Sequence, residues 1–402
     1  MIEKQRSEAS WPHAALVDYV HLRNDYIYAL GGKLNLFRFF LIQGADLLAR
    51  GGRFGMIVPL SLLADISTAA TRKRILTVFK DVTADCFPQK DNPARRVFRD
   101  AKLSTLVIMG TAVKGETSKE EPILVRTYPW NSFQDVHKEC KVCLSDLSLL
   151  DQNCPIPLVD ENNWSLARKI HSDVKVKPIG QIEYIKVTRG EINQTIYREF
   201  ITPNDKQARL LKGVEVGPYR WNAKLSQGER EWFDEPAFLR KESPRTQTRL
   251  TRIATQRITG IDEKRRIVAT LINGPCYFAD STNSILFTGE RKEHPLYLLG
   301  LLNSRLFQWR FKITSTNNNV GTNELEAMPF RLIDPKKKSD TINHDHIVTL
   351  VGNALETNER QSSTNQHYLD TIEDKIDRLV YDLYGLTEEE IAIVEEPELK
   401  KG

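Results

Sequence analysis

The spacing of apolar residues near the start of the chain changes from a helical to a strand-like period. Over residues 35–48 many apolar positions lie three or four apart, as on one face of a helix. Gly51 and Gly52 follow, and glycine commonly ends a helix because it tolerates a left-handed backbone. The run 54–58 is mostly apolar and Pro59 closes it. We therefore predict a helix, a glycine stop and a buried strand.

Helical and strand-like patterns continue to alternate up to about residue 130. An amphipathic stretch with Ile75, Leu76 and Phe79 on its apolar face predicts a second helix. Three apolar strand candidates come after it, at 82–87, 103–109 and 123–128. This order of elements is typical of an α/β sheet that ends in antiparallel strands.

The pattern changes again near residue 182, where short β-branched runs alternate with Gly, Asn and Pro turns. Residues 295–311 then predict one long helix, and residues 369–383 predict another that ends at Gly385. We expect an α/β domain, a connector, a mostly β module and a helical segment. Their predicted boundaries are 1–135, 136–180, 181–335 and 336–402.

The length and amino-acid composition of the chain indicate a soluble globular protein. A chain of 402 residues is long enough for two or three domains, and 40% apolar with 27% charged residues fits a soluble globular protein. There is no apolar run long enough to span a membrane, and the N-terminal sequence lacks the apolar stretch of a signal peptide. We expect a cytoplasmic protein with no membrane partner, in which the five cysteines form no disulfides.

The distribution of charge is more informative than the net charge of +4. Residues 240–266 contain nine basic and three acidic residues, whereas the tail 388–398 is acidic. A basic segment of this kind predicts a surface that faces phosphates. Within it, Arg249, Arg252 and Arg257 lie among Thr and Gln, which suit contacts to phosphates and base edges. The alternative is a solvated strand face.

Further candidate DNA contacts come from two polar loops and a helix end. Side-chain amides can bind the edges of adenine, although a plain surface turn explains the same residues. The aromatic residues of 307–311 suit either base stacking or the core, and the core is the commoner role on an apolar helix. The candidates are Gly190, Asn193, Arg310, Lys312, Asn317, Asn318, Asn319 and Thr322.

One cluster of cysteines has the residue types of a metal site. His137, Cys140, Cys143 and Cys154 are spaced H-x2-C-x2-C-x10-C, which suits zinc in principle. However, 140–144 also alternates like a strand, and no glycine follows the paired cysteines. Buried or incidental thiols are the alternative that we favour, so we predict no metal site.

Several stretches together resemble adenine-specific DNA methyltransferases of the Type IIG restriction–modification class. LLARGGRFGMIVP is similar to the segment just after that family's catalytic tetrapeptide, where a helix ends at Gly-Gly and enters the fifth strand of the sheet. RRVFRDAKLSTLVIM (95–109) is similar to the stretch between its fifth and last strands. The runs from 189 to 287, the helix at 296–312 and the exit at 321–330 resemble a TaqI-like target-recognition domain, and 372–391 resembles the closing helices.

The resemblance implies a fold class and a function. The fold is an α/β, partial Rossmann-like methyltransferase sheet, followed by a mostly β α+β target-recognition domain and C-terminal helices. The implied function is site-specific methylation of adenine N6 in double-stranded DNA, within a restriction–modification or phage-defence system. S-adenosylmethionine is the implied methyl donor. The target adenine has to leave the duplex, because its amine cannot be reached inside the stack.

Two motifs of that family do not occur in this sequence. NPPY is missing, since the only Asn-Pro is Asn92-Pro93, followed by Ala94. GGRFG (51–55) precedes its strand, whereas a nucleotide-binding loop follows one. We therefore expect no catalytic or cofactor-binding residue here, an open edge at 54–58, and a partner polypeptide that carries the N-terminal methyltransferase half and most of the S-adenosylmethionine site. The alternative is a non-enzymatic DNA-binding specificity module or an inactive remnant.

Overall fold

The computed structural model describes residues 15, 17–222, 225, 227–260, 263–290, 293–315, 318–359 and 365–396. The chain divides into two compact units, residues 1–168 and 169–402. Both units mix helices with small sheets, and helices close the C-terminal end, as the sequence predicts in outline. No helix in the described ranges is both long and apolar enough to cross a membrane.

The first unit is built on a five-stranded sheet of order β1-β3-β2-β4-β5. Only β2 and β4 run parallel, whereas β3 is antiparallel to both β1 and β2, and β5 is antiparallel to β4. The strands are β1 (Arg53–Pro59), β2 (Phe79–Phe87), β3 (Thr105–Ala112), β4 (Ile123–Thr127) and β5 (Lys138–Val142). The helices are α1 (Leu36–Asp46), α2 (Ala69–Val78), α3 (Leu144–Leu150) and α4 (Glu161–Ser172).

The opening helix–strand prediction is right in order and differs in two details. Helix α1 ends at Asp46, five residues before Gly51, whose φ is +80°. The glycine pair instead starts the β1–β3 ladder, because Gly51 N donates to Ala112 O and Ala112 N donates to Gly52 O, both at 2.9 Å. Strand β1 is an edge strand of its sheet and is buried on one face only, with Ile57 55% exposed.

Strand β5 and helix α3 lie in the segment that the sequence interpretation assigned to a connector. Cys140 and Val142 point into the first unit and are buried, while Lys141 between them is exposed. Strand β5 pairs with β4, and Cys140 lies opposite Val125 in this pairing. The strand-like alternation noted at 140–144 therefore marks a five-residue strand of the first sheet, and the assignment of this part of 136–180 to a connector is wrong.

In the part of the second unit that the structure describes there are four small sheets. Their strand orders are β14-β13-β16-β7, β15-β9-β12-β8, β10-β11 and β17-β6, and only β15 and β9 pair in parallel. The longer strands are β7 (Ile185–Arg189), β9 (Ala208–Leu211), β13 (Arg252–Gln256), β14 (Ala269–Ile272) and β16 (Thr282–Phe287). The shorter strands are β6 (Val176–Pro178), β8 (Ile201–Thr202), β10 (Val216–Gly217), β11 (Arg220–Trp221), β12 (Trp232–Phe233), β15 (Tyr277–Phe278) and β17 (Pro329–Arg331).

Among its described residues, the second unit also has seven helices. They are α5 (Glu235–Leu239), α6 (Pro295–Asn303), α7 (Arg305–Thr314), α8 (Thr322–Glu326), α9 (Lys338–Glu359), α10 (Asn365–Tyr384) and α11 (Glu388–Glu395). The predicted single helix 295–311 is two helices, since Ser304 has an extended backbone and its Oγ accepts the Phe307 N–H to cap α7. Helix α10 ends before Gly385, whose φ is +64°, as predicted.

Two buried amides fasten the edge strand β14 to these helices. The Asn303 side chain accepts from Ala269 N at 3.1 Å and donates to Ala269 O at 3.0 Å. The Gln308 Oε1 accepts from Arg266 N and Ile267 N at 2.8 and 2.9 Å. These amides take the place of a strand neighbour at the start of this edge, so the backbone groups of Ala269 and the N–H groups of Arg266 and Ile267 are satisfied without another strand. The opposite edge of the sheet carries the candidate site.

Candidate nucleic-acid interface

Two arginines meet on one aspartate at the β7 edge of the four-stranded sheet. Arg189 ends β7 and donates from Nη2 to Asp280 Oδ2 at 2.7 Å and from Nε to Asp280 O at 3.1 Å. Arg257 follows β13 and donates from Nη1 to the same carbonyl at 3.3 Å. With Ile258, Asn318 and Asn319, these residues form what we call the Arg189–Arg257 cluster.

The electrostatics of the cluster favour an anion. Burial, with a further contribution from Arg189, lowers the pKa of Arg257. The Asp280 carboxylate binds Arg189, whereas Arg257 donates to the Asp280 backbone carbonyl, and the three side chains together carry a net charge of +1. Arg189 and Ile258 are exposed. A half-buried arginine beside a second cation gains from a bound phosphate, because the added anion offsets both their repulsion and the cost of burial.

The amide-rich loop joins this cluster through its backbone. Thr259 N donates to Asn318 O at 2.9 Å, and Val320 N donates to Arg257 O at 2.8 Å. The side chains of Asn318 and Asn319 are exposed beside the arginines. Asn317 lies outside the described residues. The structure thus brings together Arg257, Asn318 and Asn319, which the sequence proposed from two separate segments.

Gly190 and Asn193 lie next to the cluster and have structural roles. A Cβ at Gly190 would lie 2.0 Å from Ala279 O, so only glycine allows the backbone this close. Asn193 Oδ1 accepts from Thr195 N and Ile196 N at 3.0 Å each, which fixes the turn after β7. Both residues shape the turn that follows Arg189, and a DNA contact by either stays a prediction.

Arg252 is buried, which corrects its interpretation as a DNA contact. Arg252 is only 2% exposed, and its guanidinium donates to both carboxylate oxygens of Glu191, at 3.0 and 3.2 Å. It also donates to Cys276 O at 2.7 Å and lies 3.7 Å from the centre of the Phe278 ring. A guanidinium with these partners holds the fold together and does not reach a phosphate.

Arg249 is exposed but already paired within the unit. Its Nη2 donates to both carboxylate oxygens of Glu235, at 2.8 and 3.0 Å. Glu235 also accepts the Tyr277 hydroxyl at 2.8 Å, so the pair belongs to a small network. A DNA contact by Arg249 remains a prediction, and it requires the guanidinium to exchange or share its carboxylate partner.

The three remaining candidates lie in α7 and at the start of α8. Arg310 is buried in α7, where its Nε donates to His171 Nε2 at 2.7 Å and its Nη1 to Thr314 Oγ1 at 3.0 Å, which corrects its prediction as a DNA contact. Lys312 is half-buried in the last turn of α7. Thr322 is the first residue of α8 and is half-buried.

The basic excess of 240–266 is largely neutralised by acids from elsewhere in the chain. Glu191 pairs with Arg252, Glu235 with Arg249, and Glu373 with Arg265. These acids lie 14 to 108 positions away in sequence. A count of charge along the sequence therefore overstates the surface potential of this segment.

Arg189 is the residue of the cluster that the sequence interpretation missed. The sequence does alternate apolar and polar residues here, and in the structure Ile185 and Val187 are buried while Lys186 and Thr188 are exposed. Arg189 ends this strand directly before Gly190, where the chain turns. Its convergence with Arg257 on Asp280 depends on the pairing of β7 with β16, which no local pattern reveals.

The cysteine cluster does not form a metal centre in the described part of the chain, where no group of three or more potential ligands is found. Cys140 and Cys154 are buried. Burial raises the pKa of Cys140 to about 12, which disfavours the thiolate that a metal requires.

The glycines at 51–52 do not fit a cofactor loop either. They hydrogen-bond to Ala112 at the start of β1, and their backbone groups are used within the sheet. A turn that binds S-adenosylmethionine would instead follow its strand and offer free backbone to the ligand.

No family model matches the sequence, and no curated protein does. Among solved structures, the DNA-bound Type IIL restriction-modification enzyme MmeI is similar at a TM-score of 0.52 with 12% identity, over 89% of this chain and 51% of that one. The Type IIG restriction endonuclease BpuSI (TM-score 0.29, 12% identity, 89% and 50% coverage) and a DrdV–DNA complex (0.43, 10%, 83% and 41%) also match. At those two TM-scores the likeness does not bear on the fold. The chain therefore shares the fold of about half of MmeI.

Proposed function

We propose that this chain is the DNA-recognition part of a restriction–modification enzyme. The observation that carries the proposal is the Arg189–Arg257 cluster, where two guanidinium groups and an amide-rich loop share one exposed edge. Guanidinium groups bind phosphates, and side-chain amides bind base edges, so the cluster offers both kinds of DNA contact. The fold shared with part of MmeI, a restriction-modification enzyme in complex with DNA, supports the same function.

We further propose that the enzyme to which this DNA-recognition part belongs is an adenine-specific DNA methyltransferase. The resemblance of residues 35–59 and 95–109 to that family supports it, and S-adenosylmethionine would supply the methyl group. Gly51 and Gly52 use backbone groups within the sheet and offer no loop for that cofactor, so no step of methyl transfer is assigned to this chain. This chain selects and holds the DNA, and a second polypeptide carries the cofactor site and NPPY.

The edge of the first sheet supports such a partner. In the resembled family, the strand that leads into NPPY lies beside the strand equivalent to β1. In the described structure β1 pairs with β3 alone, from Arg53–Thr111 to Pro59–Thr105. Ile57 stays exposed there, and an open apolar edge readily pairs with another strand. Co-purification from the native host should recover a chain that contains NPPY, and its absence would contradict this part of the proposal.

DNA binding itself is tested by replacing the two arginines of the cluster. Arg189→Ala and Arg257→Ala should each weaken duplex binding and reduce the slope of log K against log salt by about one, because each loses one phosphate contact. Fluorescence anisotropy of a labelled duplex between 50 and 200 mM salt, roughly the range over which phosphate contacts weaken binding strongly, measures both quantities.

Arg198→Ala is the matched control for that experiment. Arg198 is also an exposed arginine of the second unit with one carboxylate partner, Glu231, but it lies outside the cluster. Its salt slope should equal that of the wild-type chain. Equal slopes for all three variants and the wild type would overturn the assignment of this cluster to DNA.

A further inference from the structure

A second surface in the first unit combines exposed aromatic rings with arginines. Strands β2 and β4 run parallel, so the loops that follow them, 88–104 and 128–137, leave the sheet at the same edge. The two loops are joined where Asn131 Nδ2 donates to Arg96 O at 3.0 Å. Five residues of these loops form what we call the Trp130 surface: Arg95, Phe98, Arg99, Trp130 and Phe133.

A rigid aromatic base supports this surface. The Phe87 and Tyr128 rings stack at 5.1 Å, and the Phe133 ring meets them edge-on at 5.4 and 5.6 Å. Tyr128 is fixed in turn by Asp85, whose buried carboxylate accepts its hydroxyl at 3.1 Å and binds Arg126 at 2.7 and 3.1 Å. The rings at the surface are thus held in place from below.

The outer rings remain accessible despite this support. Trp130 is 45% exposed and Phe133 is 60% exposed, and Phe98 is also exposed in the loop 88–104. A single exposed aromatic residue is common, whereas several of them in adjoining loops are typical of an interaction surface, because exposing apolar area to water is unfavourable. Three exposed aromatic residues in two joined loops therefore indicate an interaction surface.

The charge around the rings favours nucleic acid. Loop 88–104 has five basic and two acidic residues. Arg95 already lies over the Trp130 ring, with its Cζ 4.3 Å from the ring centre. Arg99 is exposed, and no ion-pair partner for it is found within the described part of the chain. Arg96 differs, since its Nη1 donates to Arg99 O at 3.0 Å and shapes the loop.

The combination of aromatic rings and arginines on the Trp130 surface favours unpaired bases over paired duplex DNA. A paired duplex presents phosphates to cations but hides the faces of its bases from Trp130 and Phe133. Unpaired bases expose those faces and stack on aromatic side chains, while arginine adds cation–π and phosphate contacts. Exposed rings next to guanidinium groups therefore fit unpaired bases better than a fully paired helix.

We propose that the Trp130 surface binds unpaired bases of DNA, which stack on Trp130 and Phe133 while Arg95 and Arg99 contact the adjoining phosphates. This inference rests on the proposed function, since it assumes that DNA is the ligand of the chain. It adds a binding surface in the first unit that is separate in sequence from the Arg189–Arg257 cluster.

The test compares two DNA probes, a single-stranded oligothymidylate and a fully paired duplex of the same length. Trp130→Ala and Phe133→Ala should each weaken binding of the single strand by roughly 5- to 150-fold, the usual effect of losing one stacked base. Both should bind the paired duplex within about twofold of the wild-type chain, as expected where no ring contact is made. Trp130→Phe should recover much of the single-strand affinity, because it keeps a ring.

Phe40→Ala is the matched control, since Phe40 is 58% exposed in α1 and lies outside both loops. It should bind both probes as the wild-type chain does. If the wild-type chain binds the duplex but not the single strand, or if Trp130→Ala and Phe133→Ala leave single-strand binding unchanged, the inference fails and a protein ligand becomes the better explanation. If the wild-type chain binds neither probe, the proposed function itself fails.

Discussion

Replacing Arg252 by methionine tests whether this arginine holds the fold or binds DNA. In the folded chain Glu191 is buried against Arg252 and also accepts Phe278 N at 3.0 Å. Without the guanidinium its carboxylate would be buried without a cation. Arg252→Met should therefore lower the free energy of unfolding by about 3–5 kcal/mol, the usual cost of breaking a buried ion pair from one side.

Adding Glu191→Gln should restore most of that stability. The glutamine Oε1 can still accept from Phe278 N, and the uncompensated charge is gone. Neutral replacement of both members of a buried pair is often close to neutral in free energy. Urea denaturation followed by tryptophan fluorescence measures all three chains. A double variant as unstable as Arg252→Met alone, or a single variant that costs less than about 1 kcal/mol, would refute the reasoning.

The double variant also separates folding from DNA binding. If Arg252 makes no phosphate contact, the stable double variant should bind duplex DNA with the wild-type dependence on salt. A slope reduced by about one would restore the original interpretation of Arg252 as a DNA contact.

Two further predictions concern stability. Gly190→Ala should lower the free energy of unfolding by more than about 2 kcal/mol, because the added Cβ would meet Ala279 O. Gly352 lies in open space within α9, so Gly352→Ala should leave that free energy unchanged or raise it by up to about 1 kcal/mol. Equal effects of the two variants in urea denaturation would contradict this. Burial, helped by Arg310, holds the pKa of His171 well below its usual value, so its stabilising contribution is present above about pH 6.5 and is lost as the pH falls. Between pH 7.5 and 5.0 the wild-type chain should lose about 2 kcal/mol that His171→Gln does not lose, and parallel pH profiles for the two chains would refute it.

Much of the fold is visible in the sequence because it rests on local periodicity. The helix–strand unit at 35–59, the β-rich texture after residue 182 and the helix that ends at Gly385 all appear in the structure. The division of 295–311 at Ser304 was missed, because one serine that caps a helix leaves the apolar period unbroken. The strand-like alternation at 140–144 was visible, but it did not show that β5 belongs to the first sheet, because that depends on its pairing with β4.

The candidate site was harder to predict because it depends on contacts that are distant in sequence. Arg252 and Arg257 look alike in the sequence, yet Glu191 captures the first while the second stays half-exposed beside Arg189. Which arginine meets an acid is decided by the pairing of β7, β13 and β16. The aromatic residues were easier, since Trp309 is buried in the core, as its position on an apolar helix favours.

Recognition of DNA by this chain can be measured by selection from a random pool of duplexes. The purified chain is mixed with the pool at moderate salt, and the retained duplexes are sequenced over successive rounds. We expect that one recurring sequence is enriched and that Arg257→Ala weakens its retention. A pool that stays random, or a chain that retains no duplex at low salt, would show that the chain does not recognise DNA.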